Sequence, residues 1–219
     1  MTLTDSLKKI RKDGVNQLSD EMRVLFRQSM QDIAALNIVS SSLKKGDTAP
    51  EFQLPSATDK EISLSTLLRD GPVVISFYRG AWCRFCNQEL ISLQENLHEI
   101  DQLNSSLLGI SPQAPSSARE MIKETKITYE LLHDEKNAVA KMFGVAYLFP
   151  ESSRELNERL GINVLSFADD DEPELPIPAT FIVDQDRKIR FAFVDSDYTR
   201  RADPIDIITI LRRIQKGRA

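Results

Sequence analysis

The chain has 219 residues, of which 41% are hydrophobic and 28% charged, and its formal net charge is −5. This length can bury a sizeable core without a disulfide scaffold, and the composition is typical of a soluble globular protein. The acidic balance argues against nucleic-acid binding, and no run approaches the roughly 18–20 apolar residues of a membrane span. The charged start, MTLTDSLKKIRKD, lacks the apolar stretch of a secretory signal, so we expect a cytoplasmic protein.

The N-terminal region contains a predicted amphipathic helix over residues 17–36, where apolar residues recur at i, i+3, i+4 spacing around a start at Ser19. The following SSSLKKGDTAP is typical of a linker. We therefore predict an N-terminal helical extension, residues 1–42, and a main domain, residues 43–219. The apolar stripe of the helix needs a partner surface, either its own domain or a second copy of the chain, and we favour a homodimer.

The main domain alternates strands and helices, which predicts an α/β fold with a central sheet flanked by helices. Its strongest strand is PVVISFY, residues 72–78, whose nearly continuous apolar character indicates a strand buried on both faces. Residues 145–175 are less regular, and their acidic run DDDEPE is interpreted as a solvated insertion. The other predicted elements are a hairpin and a turn capped by Ser65, a helix over 86–102, a strand over 106–112, a helix over 115–124, a helix stopped by Gly144, a short helix at SSRELNERL, a hairpin from ATFIVD to KIRFAFVD, and a last helix with Asp203 as cap and Pro204 at its first position.

Both cysteines of the chain, Cys83 and Cys86, lie where the strand at 72–78 turns into the next helix. Backbone N–H groups at a helix N-terminus favour a thiolate, and Arg79 and Arg84 could add positive charge. The thiolate is the nucleophile in disulfide exchange and in peroxide reduction, and a second thiol three residues away can close a disulfide. The pair is therefore interpreted as redox-active.

Two other interpretations of the cysteines are weaker. Free cysteines are often simply buried core residues. A structural zinc ion needs about four ligands, but His98 and His133 lie at unrelated spacings. We therefore expect no metal and no other cofactor.

The stretch VVISFYRGAWCRFC followed by a helix resembles the peroxiredoxin family, the alkyl hydroperoxide reductase C and thiol-specific antioxidant proteins. KKGDTAPEFQLPSATDKEISLSTLL resembles the opening segment of that family and IPATFIVDQDRKIRFAFVD its closing hairpin, so the resemblance covers about residues 44–215. It implies a thioredoxin-like fold with a mixed sheet. In that fold Pro178 would be a cis-proline facing the cysteines, although trans is the commoner form of an X-Pro bond.

The resemblance leaves two assignments of the cysteines open. Peroxiredoxins carry Pro-x-x-x-Thr-x-x-Cys, and with Cys86 as the attacking cysteine Arg79 stands at the proline position and Cys83 at the threonine position. Trp82-Cys83 followed by Cys86 also matches the Trp-Cys-x-x-Cys of thioredoxins, which would make Cys83 the nucleophile. We favour Cys86 for attack on peroxide and Cys83 for resolution and for exchange with the reductant.

Further residues are candidates for the neighbourhood of the thiols. The segment DYTRRADP, residues 197–204, is either a solvated loop, which we favour, or a loop that delivers Tyr198, Arg200 or Arg201 to the thiolates. Trp82 is expected to be mainly a packing residue.

The function that the resemblance implies is a thiol peroxidase reducing hydrogen peroxide or organic hydroperoxides through a Cys83–Cys86 disulfide, with an external dithiol such as thioredoxin as reductant. The alternatives are a thiol-disulfide oxidoreductase acting on protein disulfides and a non-enzymatic redox-sensing binding module. No nucleic-acid or membrane partner is expected.

Overall fold

The structure is a computed structural model, and it describes residues 2–162, 164 and 174–217. The strands of these residues are β1 (Gln53–Pro55), β2 (Glu61–Ser63), β3 (Val73–Phe77), β4 (Ser106–Ser111), β5 (Glu130–His133), β6 (Ala146–Leu148), β7 (Glu174–Pro176), β8 (Ala179–Val183) and β9 (Ile189–Val194). A central five-stranded sheet has the order β5-β4-β3-β8-β9, and β1-β2 and β6-β7 form two small sheets. Because β3 pairs parallel with β4 and antiparallel with β8, the central sheet is mixed, as predicted.

Helices pack on the faces of the sheet and form the N-terminal extension. They are α1 (Leu3–Gln17), α2 (Asp20–Ala35), α3 (Ile38–Ser41), α4 (Leu64–Leu67), α5 (Arg84–Glu95), α6 (Leu97–Asp101), α7 (Pro115–Thr125), α8 (Ala138–Met142), α9 (Glu151–Arg159) and α10 (Pro204–Lys216). None of them is long and apolar enough to cross a membrane.

The strand predicted at 72–78 is β3, and all five of its residues are buried. The ring of Phe77, at its end, packs against Phe143 and Phe181 with centroid separations of 5.1 and 6.0 Å. This aromatic cluster fixes the carboxyl end of β3, from which the chain continues directly into the cysteine loop.

The N-terminal region contains one helix more than the sequence analysis predicted. The predicted helix at 17–36 is α2, with Ser19 as its cap, accepting a hydrogen bond from the Met22 N–H. The missed helix α1 begins after Thr2, whose hydroxyl accepts from the Asp5 N–H at 3.1 Å while the Asp5 carboxylate accepts from the Thr2 N–H. This reciprocal pair of hydrogen bonds forms a capping box, and the spacing of Thr2 and Asp5 is the sequence signal that could have predicted the start of α1.

The extension lies against its own chain. Helix α1 packs on α5 and α2 packs on α9, and Leu3, Leu7 and Ile33 belong to the same buried core as the central sheet. The apolar stripe therefore has a partner surface within the chain, and it no longer requires a second copy. A domain boundary near residue 42 stays a prediction.

Three local expectations differ from the structure. Ser63, not Ser65, caps α4, because the Ser63 hydroxyl accepts from the Thr66 N–H. The helix predicted over 86–102 is divided at Asn96 into α5 and α6. The Ile177–Pro178 bond is trans, since no peptide bond of the described residues is cis. The Ile177 N–H instead donates to the carbonyl of Val145, continuing the pairing of β7 with β6.

The last helix and the hairpin before it are confirmed, with Asp203 at the N-cap and Pro204 in the first turn of α10. The Asp203 carboxylate does not cap its own helix but accepts from the Thr4 N–H of α1 at 3.2 Å. The acidic run lies mostly outside the described residues, so its interpretation as a solvated insertion stays a prediction.

Gly144 links the extension to the main domain, and its replacement by alanine is expected to destabilise the protein. Its φ is +68°, and a Cβ there would stand 2.3 Å from the carbonyl oxygen of Ser41. The left-handed conformation alone costs a non-glycine residue about 1–2 kcal/mol, and the clash with backbone adds to it. Gly161→Ala is the matched control, because its φ is +74° but nothing lies within 4 Å. Urea unfolding should show the larger loss for Gly144→Ala; equal losses would contradict the close contact.

Candidate active site

The two cysteines stand at the junction predicted for them. After β3 ends at Phe77, a loop leads to Cys83, the N-cap of α5, and Cys86 follows in the first turn of that helix. Both are free thiols, only 2% and 0% exposed, and their Sγ atoms are 2.9 Å apart. A disulfide bond is about 2.05 Å long, so a small movement would join them.

The surroundings of Cys83 stabilise a thiolate. Burial opposes the charge, but the hydrogen bond from the Cys86 thiol and the positive charges of Arg79 and Arg201 outweigh it, so the pKa of Cys83 is held well below its usual value. Nη2 of Arg79 donates to Cys83 Sγ at 3.3 Å. In contrast, burial and the neighbouring Cys83 raise the pKa of Cys86 well above its usual value. These opposite shifts favour a negative charge on Cys83 rather than on Cys86.

Arg201 approaches Cys86 from the loop before α10. Its Nη2 donates to Cys86 Sγ at 3.3 Å, and its Nε pairs with the carboxylate of Glu89. The Arg201 and Glu89 side chains are fully buried, at 0% and 1% exposure. Burial raises the pKa of the Glu89 carboxyl, which Arg201 and a hydrogen bond from Ser76 partly offset. The ion pair fixes the guanidinium on the sulfur of Cys86.

Arg79 is held between two aromatic rings. Its guanidinium carbon lies 4.7 Å from the ring centroid of Trp82 and 3.9 Å from that of Tyr198. Cations are attracted to the faces of aromatic rings, most strongly where the site is desolvated, and Arg79 is only 5% exposed. Trp82 is thus more than a packing residue, because its ring helps to orient the arginine on Cys83.

Three buried donors at or beside Arg79 find no acceptor in the part of the chain that the structure describes. They are Nε of Arg79 itself, Nε1 of Trp82 and the hydroxyl of Tyr147. Burial raises the pKa of Tyr147 to about 12, with Arg79 opposing it, so the hydroxyl keeps its proton and remains a donor. Buried donors without partners are costly, and they can be satisfied by the oxygen atoms of a substrate.

The loop over residues 197–204 is not the solvated loop that we favoured. It brings the ring of Tyr198 to the buried guanidinium of Arg79. It also brings Arg201 to Cys86, where the buried carboxylate of Glu89 pairs with the guanidinium. Arg200 does not join them and forms an exposed ion pair with Asp195 at 2.7 Å. Arg84 is exposed over the ring of Phe85 and donates to neither sulfur.

Pro178 is buried and immediately precedes β8, whose first residue, Ala179, is paired with Phe77 of β3. It therefore lies beside the carboxyl end of β3, from which the cysteine loop starts. No group of three or more metal-binding side chains occurs among the described residues.

The sequence analysis missed Glu89 and Tyr147. Glu89 follows Cys86 by three residues and lies on the buried face of α5, between the apolar Cys86 and Leu90. A carboxylate at such a position signals a buried cationic partner. Tyr147 carries no such signal, because β6 is only three residues long.

Comparison with known proteins identifies the family of the chain. The model of the AhpC/TSA family matches residues 45–192. The chain belongs to the AhpC/TSA family. A Mycobacterium tuberculosis protein named as a peroxiredoxin is 30% identical over 176 residues, which cover 80% of this chain and 100% of the relative. Peroxiredoxin Bcp of Escherichia coli is 28% identical over 163 residues, 74% of this chain and 93% of that protein.

Solved structures confirm the fold of this AhpC/TSA chain. The crystal structure of peroxidoxin BcpB from Mycobacterium tuberculosis superposes with a TM-score of 0.61 and 27% identity, over 78% of this chain and 98% of that one. A Plasmodium vivax 2-Cys peroxiredoxin gives a TM-score of 0.63 at 19% identity, over 80% and 84% of the two chains. The predicted thioredoxin-like α/β fold with a central mixed sheet is therefore confirmed. The family match starts at residue 45, so α1–α3 lie outside it.

Arg79→Met is expected to raise the pKa of Cys83, because it removes both a hydrogen bond and a positive charge. An opposite charge at this range lowers a pKa by about 1–3 units. The pH midpoint of thiol alkylation by iodoacetamide should therefore move upward by about one unit or more. Arg200→Met, which removes an exposed arginine that touches neither sulfur, is the control. An unchanged midpoint in Arg79→Met would show that the arginine does not stabilise the thiolate.

Proposed function

We propose that this protein is a thiol-dependent peroxidase that reduces hydrogen peroxide or organic hydroperoxides through a Cys83–Cys86 disulfide. The observation that carries the proposal is the pair of cysteines, whose sulfur atoms are 2.9 Å apart. Each sulfur accepts a hydrogen bond from a guanidinium group, Cys83 from Arg79 and Cys86 from Arg201. Membership of the AhpC/TSA family and the peroxiredoxin names of the relatives support it.

In the proposed first step, the Cys83 thiolate attacks the terminal oxygen of the hydroperoxide. An S–O bond forms and the O–O bond breaks, and the departing alkoxide or hydroxide takes a proton to leave as alcohol or water. Arg79, beside the sulfur, stabilises the negative charge that moves onto the departing oxygen. The product on the protein is the sulfenic acid of Cys83.

In the second step, Cys86 displaces hydroxide from the sulfenic acid, and the disulfide forms with release of water. The negative charge of Cys83 helps to hold the pKa of Cys86 high in the resting pair, while Arg201 and Arg79 act to lower it. Once Cys83 is oxidised to a neutral sulfenic acid, the raising charge is gone and the arginines remain. The first step therefore prepares the second thiol to ionise.

This assignment reverses the one favoured from the sequence, which took Cys86 as the attacker. Charge and access both support Cys83: it carries the thiolate, and it lines the cavity beside the site, whereas Cys86 does not. Cys86 is completely buried and keeps its proton, which suits a resolving thiol.

Reduction of the disulfide requires two electrons from an external dithiol, and we propose thioredoxin for this role. Trp82-Cys83, with Cys86 three residues later, resembles the Trp-Cys-x-x-Cys motif of thioredoxins. Thioredoxins use that motif to exchange disulfides with their partner proteins. Because Cys83 is only 2% exposed, the exchange needs the covering residues to move after oxidation. The same burial argues against exchange with protein disulfides as the main activity.

The fluorescence of Trp82, the only tryptophan, tests the proposed function. Its ring contacts Arg79 beside the reactive sulfur, so oxidation of Cys83 should change the emission within a stopped-flow experiment, with one peroxide consumed per protein. The double variant Cys83→Ser/Cys86→Ser should show no change. Reduction of insulin disulfides without a peroxide-dependent signal would favour the oxidoreductase instead.

A cytoplasmic location and a homodimer belong to the same proposal. Val24, Leu36 and Val39 of the extension are 57%, 45% and 39% exposed and offer apolar surface for a second copy. Light scattering of the full chain should give a mass near 50 kDa for a dimer of the 24.8-kDa chain. A mass of one chain at micromolar concentration would remove the dimer.

A further inference from the structure

We infer that the N-terminal extension and α9 form a substrate pocket that selects hydroperoxides carrying a short apolar group. This inference rests on the proposed peroxidase function and adds a substrate class and the residues that determine it. The residues of α1 and α2 involved lie before the part of the chain that the family model matches.

The pocket is a cavity of about 70 Å³ that opens beside Cys83. One wall comes from the active-site loop and two come from helices outside the catalytic junction. Among the described residues, its apolar lining includes Phe85 of α5, Val15, Leu18 and Phe26 from the extension, and Leu156, Leu160 and Ile162 from α9 and the residues after it. Because Cys83 is one of the lining residues, an organic hydroperoxide can place its reactive oxygens at the sulfur and its carbon atoms among the apolar side chains.

Polar contacts hold the extension wall in place. Nη1 of Arg11 pairs with the Asp197 carboxylate at 2.5 Å, in the loop that carries Tyr198. On the other side, the hydroxyls of Ser29 and Ser153 are 2.6 Å apart in a buried contact between α2 and α9. The pocket is therefore formed before substrate arrives, as binding sites for small molecules usually are.

The lining combines polar and apolar groups. Arg79 and Trp82 line the cavity together with Cys83, and among the described residues Nε of Arg79 and Nε1 of Trp82 have no hydrogen-bond partner. The apolar side chains of the lining can exclude water from an alkyl group, which stabilises its binding. Hydrogen peroxide has no carbon atoms and gains nothing from that part of the pocket.

The volume limits the size of the group. A cavity of about 150 Å³ accommodates benzene, whereas one water needs roughly 10–15 Å³. A volume of about 70 Å³ therefore fits a group of three or four carbon atoms, such as tert-butyl, better than an aromatic ring or a long chain. The proposed substrate class is a short organic hydroperoxide.

The test uses a ratio, kcat/KM for tert-butyl hydroperoxide divided by kcat/KM for hydrogen peroxide. Val15→Phe fills the pocket from α1, and we expect the ratio to fall by about tenfold or more, since even one methylene that does not fit an apolar pocket changes kcat/KM by roughly 10–200-fold. Ile205→Phe adds a bulky ring at an exposed position of α10, where the side chain does not line the cavity, and should leave the ratio unchanged.

Phe26→Ala enlarges the pocket, whereas Val15→Phe fills it. It tests the proposal independently if Val15→Phe fails to fold. Enlarging the pocket should raise kcat/KM for cumene hydroperoxide relative to tert-butyl hydroperoxide by about tenfold, the lower end of the discrimination that an apolar pocket provides. Ratios that stay at the wild-type value in the folded variants would overturn the pocket while leaving the peroxidase intact. A wild-type protein that reduces none of the three peroxides would instead overturn the proposed function.

Discussion

Replacing Cys83 by serine is expected to reduce the second-order rate constant for peroxide by about a thousandfold or more. Removing the nucleophile of an enzyme that forms a covalent intermediate costs several orders of magnitude. Here the loss is specific, because the thiolate is favoured at Cys83 while Cys86 keeps its proton and is completely buried. The measurement is stopped-flow fluorescence of Trp82 with excess hydrogen peroxide.

Cys86→Ser is the matched control, since serine can still donate a hydrogen bond to the Cys83 thiolate. This variant should complete the first step and stop there, and mass spectrometry with a sulfenate-trapping dione should find the label on Cys83. The reverse pattern, with a sulfenic acid on Cys86 in the Cys83→Ser variant and none on Cys83 in the Cys86→Ser variant, would restore the assignment that the peroxiredoxin register suggests.

Arg201→Met is expected to destabilise the reduced protein by about 3–5 kcal/mol, because it leaves the fully buried Glu89 carboxylate without its partner. Removing both charges of a buried pair avoids the unpaired charge, and hydrophobic replacements of similar volume are often neutral or stabilising. Glutamine at position 89 is uncharged, and its amide oxygen can still accept the hydrogen bond from Ser76. The double variant Glu89→Gln/Arg201→Met should therefore recover most of the loss. Urea unfolding at pH 7 under reducing conditions measures both, and a double variant as unstable as the single one would show that packing, not charge, dominates.

The loss in Arg201→Met should also depend on pH. Burial already raises the pKa of Glu89, and the arginine that partly offsets this is absent in the variant. The folded state then keeps the carboxyl proton to a higher pH than the unfolded chain does, so the free energy of unfolding decreases as the pH rises through the folded-state pKa. The variant should be closer to wild type at pH 5 than at pH 8, and a loss that is constant over this range would show that Glu89 does not titrate as inferred.

Local patterns were sufficient to predict much of the fold. The apolar run of β3, the Asp203–Pro204 start of α10 and the two strands of the last hairpin all depend on neighbouring residues, and all were confirmed. Helix α1 was missed because its apolar residues are few, and its burial depends on α5, which is distant in sequence.

Only those active-site residues that are close together in the sequence could be predicted. Cys83, Cys86, Arg79 and Trp82 lie within eight residues, and the sequence brings them together. The position of Arg201 depends on a carboxylate 112 residues away, so the sequence could offer only a choice between a solvated loop and a loop directed at the thiols. Charge compensation in the core decided between them.

The two guanidinium groups on the sulfurs also affect the redox equilibrium of the pair. In the dithiol form, the thiolate of Cys83 balances the charge of Arg79, and Glu89 balances that of Arg201. A disulfide is neutral, so oxidation leaves the buried Arg79 cation without an anionic partner. A low thiolate pKa stabilises the reduced form and raises the reduction potential, which makes the disulfide a strong oxidant. The electrostatic arrangement that we propose to activate Cys83 towards peroxide thus also favours the return of the oxidised protein to its dithiol form.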